Sequence, residues 1–468
     1  MRTGARGTAR NYWSETAATL TSGAAVTSLQ GDRRCDVVIV GGGFTAMWTA
    51  YFLKQAQPSL DVVVIEAQRI AHGASGRNGG FATTLLDLSH RALVHNFGIE
   101  RARLAHHAIA ESIQAIGAWA VDHQADIDHE STGLLTVATN AQARRWIEAD
   151  VSACEQLGAD VRFLEREQVR DLVDSPTYQC GFVEAAGALL NPAKLTAELA
   201  RVVRGLGVEI YEMTPATTVD VGATPVITTP RGRVLADHVV LATNAYTAQL
   251  GVLQRSVAPM YSYILMTAPL TDRQWESVRW KGRQGIEDKR HFIHYYRPTA
   301  DGRILWGGHD TSYYWRSGLA PEFDANASVF AASATAFRET FPQLRDVQFT
   351  HQWGGPTGVS TDFLPMFGTI AGSPVHYGIG YSGHGVAPSH TGGQILADLV
   401  LGRTSDRTSL LFVKPAKAAF PPEPLRWVGF GATRRSLMRQ NRLMESGGAA
   451  RYTEPAALKA LRKLGGPR

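Results

Sequence analysis

A glycine-rich turn near the start of the chain has the residue types and spacing that bind a dinucleotide. The segment Gly41-Gly42-Gly43-Phe44-Thr45-Ala46 matches the pattern G-x-G-x-x-G/A. In that pattern the first glycine permits a tight turn, the second lets the backbone approach a pyrophosphate, and Ala46 allows close packing of helix on strand. Glu66 ends the next predicted strand, where its carboxylate can accept hydrogen bonds from ribose hydroxyls. The fingerprint predicts a bound dinucleotide, either FAD or NAD.

A second glycine-rich loop distinguishes between these two cofactors. Residues 71–80 read Ala-His-Gly-Ala-Ser-Gly-Arg-Asn-Gly-Gly and follow Glu66 directly. Such a loop offers backbone N–H groups, the Ser75 hydroxyl and the Arg77 guanidinium to a further anionic or heterocyclic group. A nicotinamide dinucleotide does not need this loop, whereas a flavin with its ribityl chain and ring system does. The sequence therefore predicts FAD.

The elements that position these loops form one strand–helix–strand unit. Residues 35–40 are a β-branched run typical of a buried parallel strand, and a helix is predicted from Phe44 to Gln55. Residues 61–65 form the second strand, and the crossover between the two strands should be right-handed.

The rest of the chain alternates between two patterns. Helices are predicted over 101–120 and 141–157, with an isolated strand at 133–137. The α/β pattern returns with a helix from Pro192 to Gly205 or Gly207, followed by strands at 208–212, 226–229 and 238–242. Residues 259–349 are rich in Tyr, Trp and His, with antiparallel strands at 291–296 and 303–306, and a final helix spans 391–401.

These patterns predict a chain of mixed class, α/β plus α+β. A Rossmann-like FAD-binding domain is interleaved with a substrate domain built on an antiparallel sheet. The predicted boundaries are a leader at 1–34, the FAD-binding domain at 35–87, 187–256 and 352–410, the substrate domain at 88–186 and 257–351, and a C-terminal tail at 411–468.

Composition excludes several functional classes. The formal net charge of +5 is spread thinly over 468 residues, so we expect no nucleic-acid partner. Cys35, Cys154 and Cys180 form no CxxC pair, so we predict no metal site and a reducing, cytoplasmic location. No apolar run is long enough to span a bilayer, so no stable membrane insertion is expected. The arginine- and serine-rich residues 1–34 resemble an organelle transit peptide, but we favour a poorly ordered leader of a prokaryotic enzyme.

Further motifs carry a family resemblance over nearly the whole chain. They are Asn11-Tyr12-Trp13, the loop Gly73–Gly80, the segment Tyr295–Arg303 and the turn Gly380-Tyr381-Ser382-Gly383-His384-Gly385-Val386. With the fingerprint, they resemble the D-amino-acid oxidase (DAO) superfamily of flavoproteins, in the branch of glycine oxidase, sarcosine oxidase and γ-glutamylputrescine oxidase, and most of all the last. The resemblance implies an antiparallel sheet that roofs the substrate pocket.

The resemblance also implies which residues contact the cofactor. Ala216 would read the adenine, residues 242–244 would line the pyrophosphate, and residues 380–386 would run beside the flavin ring. The following helix would direct its N-terminal dipole to the ring and stabilise negative charge on the reduced flavin. Together with the fingerprint and loop, the predicted cofactor contacts are Gly41, Gly43, Phe44, Thr45, Ala46, Glu66, Ala67, Arg69, Gly73, Ala74, Ser75, Arg77, Asn78, Gly79, Ala216, Ala242, Thr243, Asn244, Gly380, Gly383, His384, Gly385 and Val386.

The expected reaction is oxidation of a C–N bond in an amine or an amino-acid-derived substrate. A hydride equivalent passes from the carbon that bears nitrogen to flavin N5, and water hydrolyses the resulting imine. The candidates for contact with the substrate or the reacting atoms are His384, Tyr295, Tyr296 and Trp306, with Tyr261 and Tyr263 as outer choices. Strand alternation allows only one of Tyr295 and Tyr296 to face the pocket.

Two departures from the family refine this expectation. Relatives of the sarcosine oxidase type carry a lysine after Gly-His-Gly, but this chain has Ala387, which shifts the expectation from a carboxylate-gripped amino acid to an amine. Relatives with covalent flavin use a cysteine in the C-terminal half or a histidine near the position of Asn78. No cysteine follows Cys180, so non-covalent FAD is predicted.

Three functional alternatives remain open. The enzyme could be reoxidised by molecular oxygen, giving hydrogen peroxide, or it could be a dehydrogenase that passes electrons to a quinone or carrier protein. A non-catalytic flavin-binding protein is the third. The arginine-rich tail, with Trp427 and Phe430, could lie on an anionic membrane or pack on the protein's own surface, and we favour the latter.

Overall fold

The computed structural model describes residues 9–18, 26–417 and 419–446. Its strands, numbered along the chain, are β1 Arg33–Val40, β2 Val62–Ile65, β3 Phe81–Thr83, β4 Leu134–Ala138, β5 Val161–Glu165, β6 Cys180–Glu184, β7 Gly187–Leu189, β8 Glu209–Tyr211, β9 Thr218–Asp220, β10 Val226–Thr229, β11 Gly232–Leu241, β12 Ala258–Thr267, β13 Gly285–Asp288, β14 His294–Pro298, β15 Ile304–Gly308, β16 Phe349–Val359, β17 Met366–Thr369 and β18 Val375–Ile379.

The helices surround two large sheets formed by these strands. They are α1 Tyr12–Thr16, α2 Phe44–Ala56, α3 His90–Phe97, α4 Ile99–Asp122, α5 Ala141–Leu157, α6 Arg166–Leu172, α7 Pro192–Gly205, α8 Asp272–Val278, α9 Ala327–Thr340, α10 Val386–Val400 and α11 Leu425–Glu445.

The first sheet has the strand order β17-β18-β11-β1-β2-β8, with β9 and β10 attached to β11. β1 lies parallel to both β2 and β11, so the centre of the sheet joins segments that are far apart in sequence. Successive residues of β1 alternate between its faces: Val37 and Ile39 belong to the core that includes α2, whereas Val38 and Val40 belong to the core on the other face. Burial on both faces explains the unbroken apolar run in the sequence.

The second sheet has the order β16-β12-β15-β14-β13-β4-β6-β5 and is almost entirely antiparallel. One face packs under α9, in a core that contains Tyr296, Trp306, Phe337 and Phe341. The other face carries Ile264 and Leu305, which pack with the aromatic residues of α1. The predicted fold class, a Rossmann-like domain interleaved with an antiparallel-sheet domain, is confirmed.

Several predicted boundaries differ from the structure. The predicted domain boundary after residue 351 falls inside β16, which continues the antiparallel sheet to Val359. The helix at the end of the third FAD-binding segment was predicted to begin at Thr391, but this helix, α10, begins at Val386. Pro388 does not delay its start because proline is tolerated in a first helical turn, where the N–H has no intrahelical acceptor.

The two ends of the chain pack on the protein. Within the predicted leader, Tyr12 and Trp13 are buried, so the expectation of poor order is wrong for α1; residues 1–8 and 19–25 lie outside the described residues. At the other end, α11 packs on the protein's own surface through buried Arg426, Gln440 and Met444. Among the described residues, no helix is long and apolar enough to cross a membrane.

Candidate active site

The turn between β1 and α2 leaves no room for side chains. Gly41 has φ of 115°, and a Cβ there would lie 2.7 Å from the carbonyl oxygen of Ala242. A Cβ on Gly43 would lie 2.7 Å from Ser75 Oγ, and one on Gly42 would lie 2.9 Å from the Glu66 side chain. Glycine is therefore required at Gly41, where the clash is with backbone and φ is positive, while a side chain at Gly42 or Gly43 would displace Glu66 or Ser75. Without side chains here, a ligand can lie directly against the backbone.

The N-terminus of α2 is joined to both other glycine-rich segments. Gly43 is its N-cap and has no side chain, and the Phe44 N–H donates to Ser75 Oγ at 2.9 Å. The hydroxyls of Thr45 and Tyr381 are hydrogen-bonded at 2.7 Å. Ala46 is completely buried, as close helix–strand packing requires. The free N–H groups and positive dipole end of this helix suit a phosphate group.

Glu66 closes the turn from the end of β2. Its Oε2 accepts a 2.6 Å hydrogen bond from the Gly42 N–H, and its Oε1 accepts one of 2.9 Å from the Gln68 N–H. Burial raises the pKa of Glu66. Its neighbours Ala67 and Arg69 are exposed, and Arg69 lies 3.9 Å from Glu212. Glu66 thus stands at the position predicted for a ribose acceptor.

The backbone of the loop Gly73–Gly80 is held from outside by side-chain donors. Asn11 Nδ2 donates to the Gly76 carbonyl at 2.8 Å, and the Trp13 indole donates to the Asn78 carbonyl at 2.8 Å. The Trp353 indole donates to the Arg77 carbonyl at 2.9 Å. The N-terminal Asn-Tyr-Trp motif therefore supports the cofactor loop, a role that its position 65 residues before the loop carbonyls could not reveal.

Two polar side chains of this loop are engaged within the protein. Arg77 Nη1 lies 2.6 Å from Asp324 Oδ2 and also donates to the Gly354 carbonyl. The guanidinium thus joins the cofactor loop to the substrate domain, and its predicted contact with an anionic or heterocyclic ligand stays a prediction. The Asn78 amide donates to the Ala74 carbonyl at 3.0 Å, and its oxygen accepts from the Gly80 N–H at 2.8 Å.

The middle segment of the Rossmann-like domain contributes the other wall. The Ala242 N–H donates to the Val40 carbonyl, which aligns β11 with the fingerprint turn. The Thr243 hydroxyl is bonded to that of Thr247, and Asn244 Oδ1 accepts from the Gly380 N–H at 3.0 Å. Ala216 lies half-buried beside the core of the first sheet.

The turn 380–386 positions a histidine beside a carboxyl group. Gly380 and Gly383 have φ of 81° and 98°, and Gly385 is the N-cap of α10, so the turn ends at the positive end of that helix. Val386 is buried in its first turn. His384 Nδ1 lies 3.6 Å from Asp87 Oδ1. The side chains of His384 and Asp87 are 17% and 31% exposed.

Their surroundings shift the protonation of both groups. Burial lowers the pKa of His384 to about 4, so its imidazole is neutral near pH 7. Burial, reinforced by nearby Glu287, raises the pKa of Asp87 well above its usual value. The site therefore presents a neutral imidazole and a carboxyl group with enhanced basicity.

Known proteins of one enzyme family are similar to this chain over most of its length. Residues 36–399 match the model of the DAO family, described as FAD-dependent oxidoreductases. The chain belongs to this family. The γ-glutamylputrescine oxidoreductase of Escherichia coli strain K12 is 30% identical over 372 residues, which are 79% of this chain and 84% of that protein. A probable oxidoreductase, OrdL, of Rhizobium meliloti is 31% identical over 398 residues, which are 84% of this chain and 89% of that protein.

Solved structures show the same fold. Glycine oxidase from Geobacillus kaustophilus superimposes with a TM-score of 0.69 at 19% identity, covering 80% of this chain and 96% of that protein. L-proline dehydrogenase from P. horikoshii superimposes with a TM-score of 0.67 at 18% identity, covering 81% of this chain and 96% of that protein.

The residues of this DAO-family protein fit its cofactor, FAD. The glycine turn would receive the pyrophosphate and Glu66 the ribose, because the turn excludes any Cβ and the carboxylate already accepts an N–H beside it. The loop 73–80 and the turn 380–386 meet the same helix N-terminus through Ser75 and Tyr381, respectively. The predictions of family and cofactor are confirmed.

The aromatic candidates separate onto two faces of the second sheet. Tyr295 lies on the face toward the cofactor loop, where a Cβ on Gly79 would be 2.9 Å from its ring. Tyr296 and Trp306 are 1% and 0% exposed and stack on each other in the core under α9. The prediction that Tyr296 and Trp306 reach the substrate is corrected by this burial, since neighbouring strand residues point to opposite faces. The same core holds the outer candidates Tyr261 and Tyr263.

A buried group of charged residues near His384 was not predicted. Glu287 lies in β13 and its Oε1 accepts from the Thr136 hydroxyl at 3.3 Å; burial raises its pKa. Lys289 Nζ and Asp150 Oδ2 form a buried ion pair at 2.6 Å. The sequence does hold a sign of this group, because two acids, Glu287 and Asp288, are adjacent in the short strand β13, which is buried along its whole length. Buried charges are rare unless they have a partner or a function.

His90, His106 and Glu184 form a second buried group, with ligand atoms within 4.8 Å of one another. This is a grouping that could hold a metal ion. The Thr84 hydroxyl lies within it, however, 2.5 Å from Glu184 Oε1 and 3.3 Å from His90 Nε2. It donates its one proton to Glu184 and accepts from the Nε2–H of His90. Burial raises the pKa of Glu184 to about 7. We therefore describe the group as a buried polar network.

The bound FAD is expected to be non-covalent. Cys35, Cys154 and Cys180 are all buried within the fold as free thiols, and the Asn78 side chain is engaged in the loop. Acid precipitation of the purified protein should therefore release all yellow colour into the supernatant. Flavin fluorescence in the washed precipitate, after denaturing electrophoresis, would contradict this prediction.

Replacing Trp13 by phenylalanine should weaken FAD binding about tenfold. The change keeps an aromatic ring but leaves the Asn78 carbonyl without its indole donor, at a cost of about 1–3 kcal/mol for a buried acceptor. Fluorescence titration of the apoprotein with FAD measures the effect. Trp146→Phe is the matched control, since Trp146 contacts His291 in the substrate domain; equal affinity in both variants would refute the supporting role of α1.

Proposed function

We propose that this protein oxidises the C–N bond of an aliphatic amine to an imine, which water then hydrolyses. Bound FAD supplies the acceptor, at N5 of its ring, for the hydride equivalent that leaves the carbon bearing nitrogen. The observation that carries the proposal is the Asp87–His384 pair at the N-terminal end of α10. An enzyme of this type must bind an ammonium group and remove its proton, and this pair provides both functions.

Each side chain has a distinct proposed role. Asp87 accepts the proton of the ammonium group, because a carboxylate with a raised pKa is a stronger base than an ordinary one. The positive charge of the bound amine in turn stabilises the ionised carboxylate, which its surroundings disfavour. Neutral His384 orients the amine without repelling it. Tyr295, on the face of the sheet toward the cofactor loop, forms the roof of the pocket.

The charges support an amine in preference to a simple amino acid. The carboxyl group of Glu287 helps to raise the pKa of Asp87, while the nearby Lys289 is paired with Asp150. Such an environment attracts a cation and disfavours a substrate carboxylate. Ala387, where sarcosine-oxidase-like relatives have lysine, is completely buried in α10. The name of the Escherichia coli relative makes γ-glutamylputrescine the first compound to test.

Anaerobic mixing of the purified holoenzyme with a panel of amines and amino acids tests the proposal. Bleaching of the flavin by amines, but not by the matching amino acids, is expected. Bleaching by amino acids alone would overturn the amine assignment, and no bleaching by any member of a broad panel would count against catalysis. Readmitting air and assaying hydrogen peroxide identifies an oxidase, which we propose first; slow reoxidation by oxygen and rapid reoxidation by a soluble quinone identify a dehydrogenase.

A further inference from the structure

Four exposed apolar side chains lie together where α11 meets the segment that precedes α9. They are Trp315, Leu425, Trp427 and Val428, which are 48%, 64%, 47% and 56% exposed. The indole rings of Trp315 and Trp427 are 5.9 Å apart. These four make up half of the eight large apolar side chains that are exposed in the described part of the chain. Such concentration marks an interaction surface, whereas scattered exposed apolar residues do not.

The outward face of α11 adds positive charge to this apolar cluster. Arg435 and Arg439 are exposed and stand one helical turn apart, and Arg435 follows Val428 at a spacing of two turns. The acid of this helix is its last residue, Glu445, which lies 3.4 Å from Arg290. One stripe of the helix is therefore apolar at its N-terminal end and basic farther along.

The opposite face holds the helix firmly on the substrate domain. The rings of Tyr313 and Phe430 stack at 4.6 Å, and Arg426 Nη1 donates to Ser317 Oγ at 2.9 Å. Arg434 forms an ion pair with the buried carboxylate of Asp310. The exposed stripe is thus presented by a fixed helix.

We propose that Trp315, Leu425, Trp427, Val428, Arg435 and Arg439 form a peripheral docking surface for an anionic phospholipid bilayer. Indole rings and aliphatic side chains favour the boundary between headgroups and acyl chains, and arginines are attracted to anionic headgroups. A second copy of the chain fits less well, because a twofold contact would bring the same arginines together. This surface is independent of the reaction proposed above.

Co-sedimentation of the full-length holoenzyme with vesicles tests this surface. Binding is expected to vesicles of phosphatidylcholine mixed with phosphatidylglycerol, weakening as salt is added, and not to phosphatidylcholine alone. The double variant Arg435→Gln/Arg439→Gln should lower the partition coefficient about thirtyfold, or roughly fivefold for each charge. Trp315→Ser/Trp427→Ser should also lower binding, while both variants keep the wild-type FAD content and circular dichroism.

Two control pairs are matched in chemistry but lie elsewhere. Arg403→Gln/Arg407→Gln removes the same charge from exposed positions after α10, and Leu104→Ser/Val121→Ser removes exposed apolar side chains from α4. Neither should change vesicle binding. Equal binding to both lipid compositions, or patch variants that bind like these controls, would overturn the proposal. A protein dimer that Trp315→Ser/Trp427→Ser dissociates, without vesicle binding, would assign the patch to self-association instead.

Discussion

Replacing Asp87 by asparagine is expected to slow the anaerobic bleaching of the flavin by its amine substrate about a hundredfold, the usual contribution of a general base. The ammonium group must lose a proton before hydride can leave, and the Asp87 carboxyl lies 3.6 Å from His384 at the cofactor-side turn. Asparagine has the same shape and tolerates the φ of 59° at this position. The fold and the FAD content should therefore be unchanged.

Stopped-flow absorbance measures this effect, using whichever amine bleaches the wild-type enzyme. The deficit should shrink as pH rises, because a growing fraction of the free amine arrives already deprotonated and no longer needs the carboxylate. Asp346→Asn, at an exposed carboxyl group, should react like wild type. An Asp87→Asn enzyme that is reduced as fast as wild type at every pH would eliminate Asp87 as the proton acceptor.

Replacing Gly41 by alanine is expected to reduce the flavin content of the purified protein to less than one-tenth, corresponding to at least about a hundredfold loss of affinity. The new Cβ would lie 2.7 Å from the backbone oxygen of Ala242, and φ of 115° is unfavourable for any residue with a side chain. Relief of the clash requires β11 and the β1–α2 turn to separate. The N–H groups that would receive the pyrophosphate then no longer converge.

The ratio of flavin to protein absorbance, together with titration of the apoprotein with FAD, measures this loss. Gly205→Ala is the matched control, because a Cβ at this last residue of α7 meets nothing within 4 Å and alanine favours a helix. It should retain wild-type occupancy. Full FAD occupancy in the Gly41→Ala protein would show that the turn does not bind the dinucleotide in the expected way.

The elements around the fingerprint could be predicted because their signals are local. The apolar run of β1, the glycine turn and the β-branched run of β2 each determine their own conformation within a few residues, and the structure has them close to the predicted positions. The helix α7 was predicted from its cap, Asn191-Pro192, and it begins at that proline. Family and cofactor followed from motifs of the same local kind.

Strand orientation in the substrate domain was harder to predict. Tyr295 and Tyr296 are neighbours of the same residue type, and only the packing of α9 on one face determines which of them enters the core. Trp306 lies opposite Tyr296 on the neighbouring strand β15, so its side chain points to the same face of the sheet. Sequence alternation indicates that two faces exist, but it does not indicate which face meets the cofactor loop.

The sequence by itself determined the dinucleotide turn and its FAD-type second loop, since each depends on residues close along the chain. The two-sheet fold class was predicted from the alternation of local patterns along the chain, although its strands pair over long distances in sequence. Only the tertiary structure decided that Asp87 meets His384, that Arg77 joins the loop to Asp324, and that Trp13 supports that loop. These contacts link residues tens to hundreds of positions apart. Their partners are selected by how the helices and sheets pack, and no local periodicity records that choice.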